Sequence, residues 1–335
     1  MWFGFFIPFI CGNDCLKQMK FFKQNIVLHF RINLNYKRIL MKKINLLLLA
    51  VLAIFASCSG DDTVARSTVT IDISGLERLE NGAEYQAWIS NGAEVISLGR
   101  FTDVNFPKSF EALTGDVEGA TQFLLSVEPG NDSSAEISQS ILLSGDFVGN
   151  AATVDVSQNF GSYTSASGQF VLQTPTDNVS TNENSGLYWY VPATGQPGLK
   201  LPTLPAGWKY EGWVTVPGAS GDVDLSTGRF TNVNNADESD PFSLNINPAP
   251  DFPGEDFINE NVLSAYGVNT LPNLVGKQVF ITIQPIFDNT SSSSSISPFV
   301  LRPLVGTVTQ EAGSSVTNTM QINTASFPVG RVTRD

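Results

Sequence analysis

The sequence predicts an all-β protein made of two tandem β-sandwich domains, and three observations carry that expectation. Short runs rich in branched and aromatic residues recur along the chain, separated by Gly, Asn, Asp and Ser. Helical periodicity is nearly absent from the same region. Motifs of the first half also return, in order, in the second. With 335 residues and only 15% charged residues, the chain has the length and the apolar content for two cores.

The leader comes first. Met41-Lys42-Lys43 and the apolar stretch Ile44 to Ala56 have the charge and length of a signal peptide, too short to span about 30 Å of hydrocarbon as a helix. Phe55-Ala56-Ser57-Cys58 resembles a lipobox, which implies that Cys58 is diacylated and becomes the mature N-terminus. Ser59-Gly60-Asp61-Asp62 resembles the short acidic surface-export signal behind the lipid cysteine of Bacteroidetes-type lipoproteins, and Asp62-Thr63-Val64 the O-glycosylation tripeptide of the same group. Both sandwiches are thus expected behind a lipoprotein signal peptide. The resemblance places the protein on the outer membrane, at the cell surface rather than the periplasmic face, with membrane lipid as partner of the acyl anchor. Residues 1–40 fit no element and read as a misassigned start; 41–57 are the signal peptide and 58–67 a tether.

Charge and cysteines narrow the function. From Cys58 onward there are 11 basic against 31 acidic residues. Such a field repels phosphate backbones, so no nucleic acid is expected as a partner. Cys11, Cys15 and Cys58 are the only cysteines, and the single histidine, His29, lies in the leader. The mature body therefore has no disulfide framework and no Ser-His-Asp, Cys-His or histidine-rich metal route, and no catalytic residue is assigned. Asp222-Val-Asp224 and Asp237-Glu-Ser-Asp240 place oxygen ligands at alternate positions as a Ca2+ loop would, but neither continues into the full loop pattern. Calcium and a solvated acidic loop both remain open.

Within the body, strands are expected at 69–73, 85–89, 123–127, 141–143 and 152–156 for the first sandwich, residues 68–157. Ser/Gly/Asn-rich residues 158–168 read as a linker, and the second sandwich takes 169–335, beginning with strands at 169–174 and 186–191. Asn259 to Ala265 suits one or two helical turns. The five-serine stretch within 288–298 is expected as an exposed loop.

The repeat is the most informative feature. Tyr85-Gln86-Ala87-Trp88-Ile89 matches Tyr210-Glu211-Gly212-Trp213-Val214, and Leu98-Gly99-Arg100-Phe101 matches Thr227-Gly228-Arg229-Phe230. Phe123 to Pro129 matches Val279 to Pro285. The offset grows from 125 to 129 to 156, so the copies differ by insertions between strands. Trp88 and Trp213 read as core residues, whereas Trp208, after Pro205-Ala206-Gly207, reads as exposed. Arg100 and Arg229 are expected to pair with a carboxylate or carbonyl.

Tyr85-x2-Trp88-Ile89, Ser97-Leu98-Gly99-Arg100-Phe101, Ser126 to Gly130 and Ile141 to Gly145 resemble, as a set, the extracytoplasmic C-terminal domain of anti-sigma-K factors, a β-sandwich module. The resemblance covers about ninety residues of the first copy. It implies a fold more than a task, because a lipoprotein leader stands where such factors carry a sigma-binding segment and a membrane span.

The expected function is a lipid-anchored envelope protein that binds or senses an extracytoplasmic ligand or protein. The candidate ligand-binding residues are Glu255 and Asp256, in an acidic Pro-Gly turn found only in the second copy, and Trp208. The competing readings are a capping or interdomain turn at Glu255-Asp256, a carbohydrate-active enzyme using paired carboxylates, and a purely structural envelope protein.

Overall fold

The computed structural model describes residues 64–335 except 81, 131–133, 135, 288–296 and 314–315. The signal peptide, Cys58 and most of the tether and serine loop lie outside the described residues. In chain order the strands and helices are β1 (Arg66–Ser74), β2 (Glu84–Ser90), β3 (Val95–Phe101), β4 (Lys108–Leu113), α1 (Thr114–Gly119), β5 (Gln122–Glu128), β6 (Ile141–Asp146), β7 (Ala151–Asp155) and α2 (Ser157–Phe160). There follow β8 (Ser167–Leu172), β9 (Gly186–Tyr188), β10 (Tyr190–Val191), β11 (Gln196–Pro197), β12 (Leu199–Lys200), β13 (Trp208–Gly218) and β14 (Gly221–Phe230). The chain ends with β15 (Gly254–Asp256), α3 (Glu260–Ala265), β16 (Gln278–Pro285), β17 (Leu304–Thr307), β18 (Asn318–Ile322) and β19 (Val329–Arg334).

The protein is all-β, with two large antiparallel sheets. One has the order β3-β2-β5-β6-β7-β19-β1-β4; the other runs β14-β13-β16-β17-β18-β8-β9-β15, with β12 on β8. Each sheet is thinly paired partway along: Ser144↔Asp155 alone joins β6 to β7, and two residue pairs join β18 to β8. Alternation builds the interior. In β1, Val69, Ile71 and Ile73 are buried while Asp72 and Ser74 face water. Burying each such side chain contributes about 1.5–3 kcal/mol.

The repeated Gly-Arg-Phe block is a shared β-bulge. Opposite the Ala87-to-Trp88 step, β3 spends the extra residue Leu98, and opposite Glu211-to-Trp213, β14 spends one at Thr227-Gly228. Gly99 and Gly228 take φ of 148° and 88°, values that an L side chain rarely adopts, which is why glycine stands at both. Along β2 the strand's alternation sends Tyr85, Ala87 and Ile89 into the continuous core and Trp88 to the opposite face; Trp213, between Gly212 and Val214 of β13, behaves alike. Both indoles are buried, as expected, but in a layer on the other side of the sheet from that core.

Two boundaries need correction. β19 does not close the second sandwich: it pairs with β1 and β7, so the last strand of the chain completes the first sheet and 169–335 is not a self-contained unit. Only Val332 of that strand is buried, which leaves little local pattern to reveal its partner. Residues 158–168 are also more than a linker. Phe160, Tyr163 and Ala166 are buried, Phe160 stands edge-on to Trp208 at 5.0 Å, and the hydroxyls of Tyr163 and Tyr210 are hydrogen-bonded at 2.7 Å. The two sandwiches share one core cluster within a single unit, Ala65–Asp335. The strands expected at 69–73, 85–89, 123–127, 141–143, 152–156 and 169–174 and the turn at α3 are present, whereas the residues of 186–191 divide between β9 and β10.

Candidate functional site

The repeated residues build the same frame twice. The Tyr85 hydroxyl donates to the carbonyl of Glu77 and that of Tyr210 to the carbonyl of Pro202, each at 2.8 Å and each eight residues upstream. Trp88 Nε1 donates to Ser126 Oγ (2.8 Å), and Trp213 Nε1 to Thr282 Oγ1 (2.9 Å). Arg100 Nε donates to Gln86 Oε1 (2.6 Å); Arg229 Nε donates to Glu211 Oε2 (3.3 Å), which also takes part in an ion pair. Both arginines are therefore partnered, as the sequence led us to expect. The carboxylate has changed strand between the copies: Gln86 and Glu128 in the first stand where Glu211 and Gln284 stand in the second.

The acidic turn is interior. Glu255 and Asp256 lie in β15, paired with β9, and neither is exposed. Glu255 accepts from the Ser243 hydroxyl and from Phe242 N–H (3.3 Å). Asp256 Oδ2 accepts from Thr176 N–H (2.8 Å) and Oγ1 (2.5 Å). Asp237, from the Asp237-Glu-Ser-Asp240 stretch, accepts from Gly254 N–H (2.9 Å) and Ser239 N–H (3.0 Å). These carboxylates bracket the connection 231–253 onto the strands beside it. Burial raises all three acids: Asp237 to about 7, Asp256 to about 6 with Asp177 adding to the rise, and Glu255 well above its ordinary value. The Tyr188 hydroxyl is near enough to Asp256 to lower its pKa, yet neither that hydroxyl nor Asp256 Oδ1 makes a hydrogen bond of good geometry.

Expected as an exposed ligand site, Glu255 and Asp256 are thus corrected to internal braces, held by Thr176, Phe242, Ser243 and β9 of their own sandwich. A carboxylate that must satisfy backbone N–H groups in a turn is drawn inward with them. Trp208 is corrected likewise: it is 2% exposed, between Phe160 and Phe299. The Pro-Ala-Gly before it holds the chain close to the first sandwich, where Gly207 accepts from Ser140 Oγ at 3.0 Å. Among the described residues no group of three or more His, Cys, Asp or Glu gathers as metal ligands; Asp224 accepts from Thr215 Oγ1 at 2.6 Å.

An open site lies on the outward face of β16, β17 and β18. Register aligns Trp213, Phe280, Val305 and Gln321 in one cross-strand row. The Arg302 guanidinium sits 4.2 Å above the Phe280 ring, itself nearly parallel to Trp213 at 6.4 Å. Around them is a groove of about 600 Å3 whose lining includes Gln278, Thr307, Thr319 and Asn323 and no acidic residue. A smaller hollow of about 390 Å3 lies by Glu183 and Glu311, but Glu183 and Asn184 there already accept from Thr174 and Ala312 N–H.

The first copy has the corresponding row, Trp88, Leu124, Ser144 and Asp155, but closes it. Asp155 accepts from Ser157 N–H (2.7 Å) at the start of α2, and Ser144 Oγ donates to Asn159 (3.2 Å) within it. Sequence reasoning missed the second-copy groove because its residues are scattered over 278–323. The available signal was Arg302, the only basic residue between Lys277 and Arg331. No family model, curated protein or solved structure matches this chain.

Proposed function

We propose that the protein is a lipid-anchored envelope protein of the outer membrane that binds an extracytoplasmic ligand, without catalysing its conversion, in the groove on β16, β17 and β18. The observation that carries this reading is the difference between the copies: the far end of the cross-strand row is covered by α2 in one, whereas in the other Val305 is half-buried and Gln321 exposed, beside polar side chains and a stacked arginine. A duplicated scaffold that leaves one of two equivalent faces open has the form of a binding surface on a rigid support. The resemblance to the outer domain of anti-sigma factors supports an extracytoplasmic module. Attachment rests on Cys58 because small residues, Ala56-Ser57, precede it at the end of an apolar leader, as in a lipobox.

Two measurements test the reading. Acyl chains contribute about 0.8 kcal/mol per buried CH2, so Cys58→Ala is expected to move the protein from the membrane to the soluble fraction. Retention of the unacylated chain at the membrane would end the anchor half of the proposal. For the groove, thermal shift of the full chain against a panel of glycans and peptides is compared with Gln321→Trp, which places a ring in the groove from an exposed position. A ligand that raises the melting temperature of the wild type and not of the variant supports the site; equal shifts in both place binding elsewhere.

A further inference from the structure

We infer that the groove takes a carboxylate-bearing saccharide, a chain of hexuronates, with Arg302 pairing the carboxylate; this rests on the groove being the binding site. The starting point is the condition of Arg302. Of the arginines in the described body that are not exposed, Arg100 bonds Gln86, Arg229 bonds Glu211, and Arg334 bonds the carbonyls of Val117, Ala120 and Gly149. Arg302 is half-buried too, yet among the described residues its guanidinium meets only the face of Phe280. A planar fork of five donors lies against an aromatic ring with its edge unused.

Charge complementarity gives the sign of the occupant. The mature chain is strongly acidic, but no Asp or Glu lines this groove, so its one formal charge is positive. An anion approaching the body is repelled elsewhere and meets a bidentate donor here. The rest of the lining gives the class. Gln278, Gln321, Thr307 and Thr319 end in exposed amides and hydroxyls, groups that pair with sugar hydroxyls as donor or acceptor, and the half-buried Val305 supplies an apolar floor.

A peptide fits less well. β16 and β17 have hydrogen-bonded neighbours on both sides and β18 meets β8 at Asn318 and Thr319, so at most the three residues Met320–Ile322 offer an edge, too short for a stably added strand. An inorganic anion would engage Arg302 and leave the row of amides without a role.

The experiment uses the full chain in detergent and titration calorimetry with four probes: oligogalacturonate, oligomannuronate, their methyl esters, and a short peptide with a free C-terminal carboxylate. At least one oligouronate is expected to bind, its ester about ten- to a hundred-fold more weakly, the loss that accompanies a missing charge-assisted hydrogen bond. Arg302→Gln is expected to reduce uronate affinity by the same factor while leaving ester affinity unchanged, with Arg302→Lys intermediate; matching melting curves establish that these variants fold. Ester and acid binding equally, with no effect of Arg302→Gln but competition from Gln321→Trp, would overturn the uronate inference and leave the groove standing. Binding of the peptide alone would overturn the saccharide. If no probe binds and the Gln321→Trp screen is also flat, the groove itself is refuted.

Discussion

The two sandwiches share five strands in the same order, β2, β3, β5, β6 and β7 against β13, β14, β16, β17 and β18, but complete their sheets differently. The first inserts β19, from the far end of the chain, between β7 and β1; the second sets β8 directly on β18 and inserts the short local strand β9 before β15. The same residues then meet different demands. In the first copy the outward row is sealed by α2 and the long-range strand locks the sheet. In the second, local insertions do the locking with buried acids, and the β17–β18 end of the row is left uncovered among the described residues. Duplication conserved the packing frame, and the structural difference arose where strands were added and faces were covered.

The largest expected effect separates the two ways of completing a sheet. Ending the chain after Phe327 removes β19 and leaves both β1 and β7 with an unpaired edge in mid-sheet. The first sandwich is expected to lose at least about 5 kcal/mol, on the scale of a whole domain's stability. Hydrogen exchange then shows β1 and β7 unprotected while β13 and β16 retain slower exchange. Unchanged protection in β1 would mean that the terminal strand is dispensable.

Next comes the exchanged carboxylate. Glu211→Ala removes the carboxylate paired with the buried Arg229 and is expected to cost about 3 kcal/mol in denaturant unfolding. Gln86→Ala costs about 1 kcal/mol, because Arg100 is more exposed and keeps Glu84 at 4.0 Å. The pair Gln86→Glu with Glu128→Gln, which copies the second arrangement into the first, is expected to cost less than the sum of its single changes. Strict additivity would show that the two frames are not equivalent.

The third effect depends on pH and belongs to the second copy. Asp237, Asp256 and Glu255 ionise at higher pH in the fold than in the unfolded chain. Between those values the folded state binds more protons, so this contribution is fully present below about pH 4 and is lost as pH rises through about 6 and 7. Asp237→Asn is expected to shrink the stability difference between pH 4 and pH 8 by about 1–3 kcal/mol. A variant with the wild-type slope would show that Asp237 does not contribute to it.

The smallest expected effects compare the paired tyrosines. Tyr85→Phe loses one hydrogen bond to a carbonyl, about 1 kcal/mol. Tyr210→Phe also leaves the Tyr163 hydroxyl without its partner and is expected to cost about 1 kcal/mol more. Equal losses in thermal unfolding would make the Tyr163 contact energetically silent.

What the sequence alone determined is local and periodic. Alternation at Val69, Ile71 and Ile73 specified a strand, and the glycine of each Gly-Arg-Phe block marked a backbone conformation that other residues resist. The matched tyrosines and tryptophans revealed the duplication, because a pattern repeated in order needs no partner to be read. Tertiary structure decided the rest. Whether Glu255 and Asp256 face water depended on Thr176 and Ser243, from distant segments, offering them N–H and O–H groups. Whether Trp208 was covered depended on Phe160, at the end of α2 between the sandwiches, and the place of β19 on two strands more than 170 residues away. The groove at Arg302 exists because three strands bring residues 278–323 to one face while, among the described residues, no helix like α2 lies over them. Such outcomes are set by which surfaces meet, and the pairing energy of a carboxylate or an edge strand resides in a partner that its own neighbourhood in sequence does not name.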